Sequence, residues 1–162
     1  MKALILFVSY YGNTRQVVET IAQQINASGH ETIVHDLRKK LPDFESFDFV
    51  MIGAPTRMAR VTWKATGALK KMVKKGFATK PVVIFDTYGP LPKNPEELEK
   101  NKKWFYPGAA GIMQKLAKDL VLNVYSETLR CEVEAYKGPL ACHQLEKAAL
   151  FTKEFLSKVV KS

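Results

Sequence analysis

Six residues, Ser9-Tyr10-Tyr11-Gly12-Asn13-Thr14, join an unbroken apolar run, Ala3 to Val8, to a segment whose apolar residues recur with a different period. Their chemistry is that of an anion clamp. Ser9 and Thr14 carry hydroxyl donors, Asn13 an amide, and Gly12 lets the backbone close on whatever is held. Set between a strand and a helix, such a loop adds the free N–H groups of the helix start and the positive end of its dipole, which suits a phosphate monoester. The same residue types are the preferred helix caps, so simple capping of the first helix is the competing reading. Two more stretches carry unusual chemistry: Gly53-Ala54-Pro55-Thr56-Arg57-Met58-Ala59-Arg60, and Asp86-Thr87-Tyr88-Gly89-Pro90. Tyr88 offers a face on which a flat ring could stack, or serves as an ordinary turn tyrosine before Gly-Pro.

The elements that must carry these loops follow from apolar period. Val17, Val18, Ile21, Ala22 and Ile25 recur at helical spacing after Thr14, so the first loop lies between a strand and a helix. Thr32-Ile33-Val34 reads as a second strand, Phe49 to Ile52 as a third and Val82 to Phe85 as a fourth, with a fifth inside the range Asn123 to Ala135. Runs that are apolar at every position suit parallel strands covered on both faces. Val61 to Val73, Met113 to Leu120 and Leu145 to Val159 supply the remaining helices. Strands alternating with helices imply a parallel sheet with helices on both faces, and ligands in such sheets lie beyond the carboxyl ends of the strands. All three unusual loops leave those ends.

Several function classes drop out. A chain of 162 residues, 46% hydrophobic, has the size of one domain, taken here as residues 1–162. No apolar run approaches the ~18 residues of a membrane span, and Met1-Lys2 leads straight into a strand, so the expectation is a cytoplasmic protein. Cys131 and Cys142 have no metal-ligand or disulfide-framework spacing, and no metal site is expected. His30, His35 and His143 are not paired with a nucleophile or a carboxylate cluster. A phospho-acceptor receiver domain needs acids after the first strand, where Ser9-Tyr10-Tyr11 supplies none.

The run Ile5 to Thr14 closely resembles the FMN-phosphate signature of the flavodoxin family, and Gly53-Ala54-Pro55-Thr56-Arg57 looks like the second flavin loop of flavodoxin-like quinone reductases. The likeness spans nearly the whole chain. It departs at Val18, where the family pattern usually has alanine, and at Met58, where many flavodoxins place a tryptophan. It implies an α/β flavodoxin-like three-layer sandwich, with a five-stranded parallel sheet of order 2-1-3-4-5 and helices on both faces. By that likeness Ser9, Tyr10, Tyr11, Gly12, Asn13 and Thr14 would hold the phosphate and ribityl end of FMN. Pro55, Thr56, Arg57, Met58 and Ala59 would line one side of the isoalloxazine, and Thr87, Tyr88 and Gly89 the other. The segment from Asn123 to Pro139 is too short for the insertion of long-chain flavodoxins, which points to the short-chain type.

From Leu91 to Gly111 the chain reads as a long third loop, in which Trp104-Phe105-Tyr106 carries too much aromatic surface to stay wet. Charge is the most individual feature. Of the formal net charge of +9, the segment Arg57 to Lys80 contributes +8, with eight bases and no acid. Lys70, Lys71, Lys74 and Lys75 fall opposite the apolar stripe of their helix, as a solvated face or as a docking surface for an acidic partner. Carrier flavodoxins are generally acidic, so the sign is unusual for that family. Nucleic acid is not expected, because the basic residues are neither interleaved with exposed aromatics nor set in a known binding motif. The sequence therefore points to an FMN-dependent electron carrier between acidic redox partner proteins, a monomer or small homo-oligomer. An FMN enzyme passing electrons from NAD(P)H to a quinone is the alternative, and a flavin-free interaction module a third.

Overall fold

In the computed structural model, which describes residues 1–160, every residue from Ala3 to Val8 is shut away from solvent. Successive strand residues point to opposite faces, so such a run needs cover on both. It forms β1 (Lys2–Phe7), inside a parallel sheet with β2 (Glu31–Asp36), β3 (Phe49–Pro55), β4 (Val82–Tyr88) and β5 (Val124–Glu132). The strand order is β2-β1-β3-β4-β5, as anticipated. On one face Leu4, Leu6, Val50, Ile52 and Ile84 meet α2 (Trp63–Lys74) and α4 (Gly108–Asp119) through Leu69, Met72, Ala110 and Met113. On the other, Ile5, Phe7, Met51 and Phe85 meet α1 (Asn13–Ala27) and α5 (Gln144–Val159) through Val17, Ile21, Ile25 and Phe155. The result is a three-layer α/β/α sandwich.

The departures from the sequence reading have local causes. β2 runs beyond Thr32–Val34 to six residues and forms the edge of the sheet, where Ile33 and Val34 stay exposed. The second helix starts at Trp63 rather than Val61, because the Thr62 hydroxyl accepts the Lys64 amide (3.3 Å) and caps it there. The long third loop contains α3 (Pro95–Asn101), followed by a turn of 3-10 helix at Lys102–Trp104. Asn94 caps α3 by accepting the Glu96 amide at 2.8 Å, Pro95 opens it, and Glu96 and Glu97 occupy its first turn. None of its residues is buried, so it has no apolar stripe to betray it.

α4 ends in a Schellman motif. The Val121 amide donates to Lys118 O (2.9 Å) and the Leu122 amide to Ala117 O (3.0 Å), with Val121 in the left-handed region at φ 57°. Glycine usually occupies that position, and a β-branched residue there is strained.

Candidate functional site

The carboxyl ends of β1, β3 and β4 bring the three unusual loops around one cleft of about 150 Å³. Ser9, Tyr10, Tyr11, Asn13, Thr14, Pro55, Thr56, Arg57, Met58, Thr87, Tyr88 and Gly89 line it; Gly12 and Ala59 do not. Gly12 instead shapes the first loop as the N-cap of α1, at φ 91° with open space where a side chain would stand.

Capping explains Ser9 alone. Its Oγ accepts the Gly12 and Arg15 amides at 3.2 and 3.3 Å. The Thr14 hydroxyl lies 2.8 Å from that of Thr87, and Asn13 Nδ2 donates to Lys137 O at 3.1 Å. Among the described residues the backbone amides of Asn13 and Thr14 meet no acceptor, and the first turn of α1 carries no acid. Two unpaired N–H groups at a helix start, beside a buried hydroxyl, are donors of the kind an anion can use.

The second loop closes on itself. Arg57 and Arg60 exchange backbone hydrogen bonds of 3.1 and 2.9 Å, leaving Met58 and Ala59 between them in the left-handed region at φ 48° and 61°. For residues other than glycine that conformation costs roughly 1–2 kcal/mol each. It turns Ala59 off the cleft wall and leaves Met58 79% exposed at the mouth. The Arg57 guanidinium lies 4.4 Å from the Tyr10 ring centroid and donates to Tyr136 Oη at 3.2 Å. That hydrogen bond raises the Arg57 pKa and lowers that of the Tyr136 phenol. Tyr11 packs on Tyr136 at 5.6 Å, so the mouth is rimmed by three tyrosines and a cation. Sequence reading missed Tyr136, a single aromatic in the turn after β5 with no motif around it.

The third loop brings a polar core with it. Asp86, fully buried, accepts Arg130 Nε and Nη2 at 2.9 Å each, Thr56 Oγ1 at 2.8 Å and the Ala110 amide at 3.1 Å. Thr56 Oγ1 in turn accepts the Ala109 amide at 2.7 Å, and Arg130 Nη2 also donates to Phe105 O at 2.9 Å. A side chain at Gly108 (φ 67°) would collide with Arg130 and Thr56. Thr56 is thus committed to this network while forming part of the cleft wall. The Arg130 guanidinium stands 4.0 Å from the centroid of Tyr88, covering one face of its ring, and burial pushes the Tyr88 phenol up to about 12. Asp86 and Arg130 had one readable signal: a carboxylate ending an apolar strand needs a partner.

The segment after β4 folds back over the cleft, where Trp104 and Phe105 join its lining. Of the three aromatics expected to pack, Trp104 and Tyr106 remain 44% and 40% exposed, with Lys103 over the Trp104 ring at 5.4 Å. Lys70, Lys71 and Lys74 of α2 and Lys75 at its C-cap are all exposed. Among the described residues no helix is long and apolar enough to cross a membrane.

Residues 4–135 match the model of a family described as flavodoxin domain. No curated protein matches the chain. Among solved structures, a flavodoxin from the domain Archaea superimposes with a TM-score of 0.75 at 18% identity, over 98% of this chain and 99% of that one. Oxidised Flavodoxin 1 from Bacillus cereus gives 0.73 at 21% identity, over 97% and 98%. A flavodoxin, WrbA-like protein from Agrobacterium tumefaciens gives 0.66 at 16% identity, over 99% and 98%.

Proposed function

The chain belongs to the flavodoxin family, and we propose on that basis that it is a cytoplasmic FMN-binding electron carrier working between protein partners. The observation that carries the cofactor assignment is the pair of unpaired amides at Asn13 and Thr14, set beside the Thr14 hydroxyl at the carboxyl end of β1. Ser9 holds that loop in shape, and Asn13 pins it to the Lys137 carbonyl. Tyr10, Tyr11, Pro55, Met58, Tyr88 and Gly89 border the space a flat ring would take, with Trp104 and Phe105 limiting water at its edge. The sequence carries one phosphate-binding turn and no second glycine-rich loop for a pyrophosphate, which favours FMN over FAD. Bound FMN supplies one- or two-electron chemistry that no side chain offers.

The carrier role is supported by the exposed lysine face of α2, which suits an acidic partner and steers its encounter. A second reading, an FMN enzyme taking electrons from NAD(P)H for a quinone or similar acceptor, is favoured by a groove beside the cleft that carries its own aromatic and cationic groups.

The deciding experiment is the absorption spectrum of the purified protein, chromatography of the released flavin, and a challenge with NADH and NADPH. Released FAD, or no binding at saturating FMN, would defeat the cofactor assignment; rapid reduction by NAD(P)H alone would transfer the protein to the enzyme reading. For the carrier, replacing Lys70, Lys71, Lys74 and Lys75 by Gln should slow association with an acidic redox partner and flatten its salt dependence. Unchanged kinetics would make the lysine face plain solvated surface.

A further inference from the structure

A groove of about 580 Å³ opens beside the cleft, sharing Tyr10, Pro55, Arg57, Met58 and Trp104 with it and running on past Arg60 to Trp63 and Lys64. Its volume lies within the roughly 300–1,000 Å³ of small-molecule sites. Both tryptophans of the chain line it, Trp63 at 75% exposure and Trp104 at 44%. Tryptophan is the side chain with most to lose by standing in water, and these two keep ring surface open in one concavity even with a lysine over each ring. Arg57, Arg60 and Lys64 stand in the same walls, none of the three is ion-paired among the described residues, and no acid joins them. Lys64 Nζ already lies 4.5 Å from the Trp63 ring centroid, so ring and cation occupy one spot.

A flat ring with an anionic tail answers this set. Aromatic faces stack on nucleobases with little regard to their identity, and guanidinium forks match phosphate oxygens. The exposed Lys70, Lys71, Lys74 and Lys75 offer a partner charge alone, whereas this groove sets two rings among its cations. We propose that this groove is a nucleotide-binding site, in which Trp63 stacks on the base while Arg57, Arg60 and Lys64 hold the phosphates. The proposal concerns binding only, and it stands whether or not the neighbouring cleft takes FMN.

The test is calorimetric titration with ADP, followed in parallel by tryptophan fluorescence, on the protein with and without saturating FMN. Saturable ADP binding with a Kd at or below about 1 mM is expected in both states. Trp63→Ala and Arg60→Gln, both at exposed positions, should each weaken ADP about tenfold or more, with circular dichroism unchanged. Inorganic pyrophosphate should bind more weakly than ADP and ignore Trp63→Ala. NADP⁺ binding as ADP does would mark a site for a nucleotide tail alone, and tighter NADP⁺ binding a site for the whole dinucleotide; either upholds the proposal. It is overturned by no saturable ADP binding, by pyrophosphate binding as tightly as ADP, or by loss of ADP binding when FMN fills the cleft. Tighter binding of a single-stranded oligonucleotide or of an acidic peptide than of ADP would also overturn it, giving the groove to that macromolecule. Because the FMN-free arm is read separately, failure of the flavin assignment and failure of this site give different results.

Discussion

Arg130→Met keeps an aliphatic stem and removes the guanidinium that ties the third loop together. Asp86 then loses the bonds from Nε and Nη2, both 2.9 Å, and the Phe105 carbonyl loses its 2.9 Å donor. Thr56 and the Ala110 amide still donate at 2.8 and 3.1 Å, but no cation faces the carboxylate. Breaking a buried pair from one side costs about 3–5 kcal/mol, because the surviving charge is left uncompensated. Asp86 is fully buried while the Arg130 side chain is 15% exposed, which places the expected loss in the lower part of that range, about 3–4 kcal/mol. Against a domain stability of about 5–15 kcal/mol the effect is large. In urea unfolding, at an m-value of about 1–3 kcal/mol/M, the midpoint should fall by more than about 1 M. Hydrogen exchange gives a second readout, since the Ala109 and Ala110 amides donate to Thr56 and Asp86 and should exchange faster. Asp86→Asn combined with Arg130→Met should cost less than the two single losses added, the stranded charge being gone. A loss under about 1 kcal/mol, the range of exposed pairs, would refute the claim that this ion pair holds the loop.

Thr14→Ala should weaken FMN binding by about 1.5–3 kcal/mol, the value of a hydrogen bond to a charged acceptor, and lower apoprotein stability less, by about 1 kcal/mol for the neutral contact with Thr87; equal losses measured by flavin titration and denaturation would count against the phosphate role. Val121→Gly should raise stability by about 1 kcal/mol by relieving the left-handed valine that closes α4, and a lower melting temperature would contradict the strain argument. Burial pushes Tyr88 from 10.0 and Cys131 from 9.0 up to about 12. Both folded values are raised, so their contribution is complete below pH 9 and is lost as pH climbs towards 12. Melting temperature should therefore fall across that window, less steeply in Tyr88→Phe, and an identical slope in the variant would exclude Tyr88 as a cause.

The sheet is readable because Ala3 to Phe7 of β1, Phe49 to Ile52 of β3 and Val82 to Phe85 of β4 form unbroken apolar runs, the pattern that two-sided burial produces. β2 reads short for the complementary reason: as an edge strand it leaves Ile33 and Val34 in solvent and shows little period. α3 buries nothing, so only its cap chemistry, Asn94-Pro95-Glu96-Glu97, could announce it. The same division runs through the site. The three loops stood out because each interrupts a period with hydroxyls, glycine or proline. Arg130 lies 44 residues from Asp86 and Tyr136 lies 79 from Arg57, and local spacing records no such pairing.

The second loop shows the deeper limit. A two-residue turn with both φ values positive ordinarily announces itself by Asn-Gly or Gly-Gly, yet here Met58-Ala59 fills it, and neither residue carries a turn signal. The conformation is imposed instead by the paired Arg57 and Arg60 backbones, against the preference of the residues between them. Strain of that kind persists where the surroundings over-determine it, and this loop is the shared wall of the cleft and the tryptophan groove. The reversal at Met58-Ala59 has Arg57, stacked over Tyr10, at one end and Arg60, in the groove wall, at the other. The local cost in backbone energy is thus borne at the point where the two concavities meet.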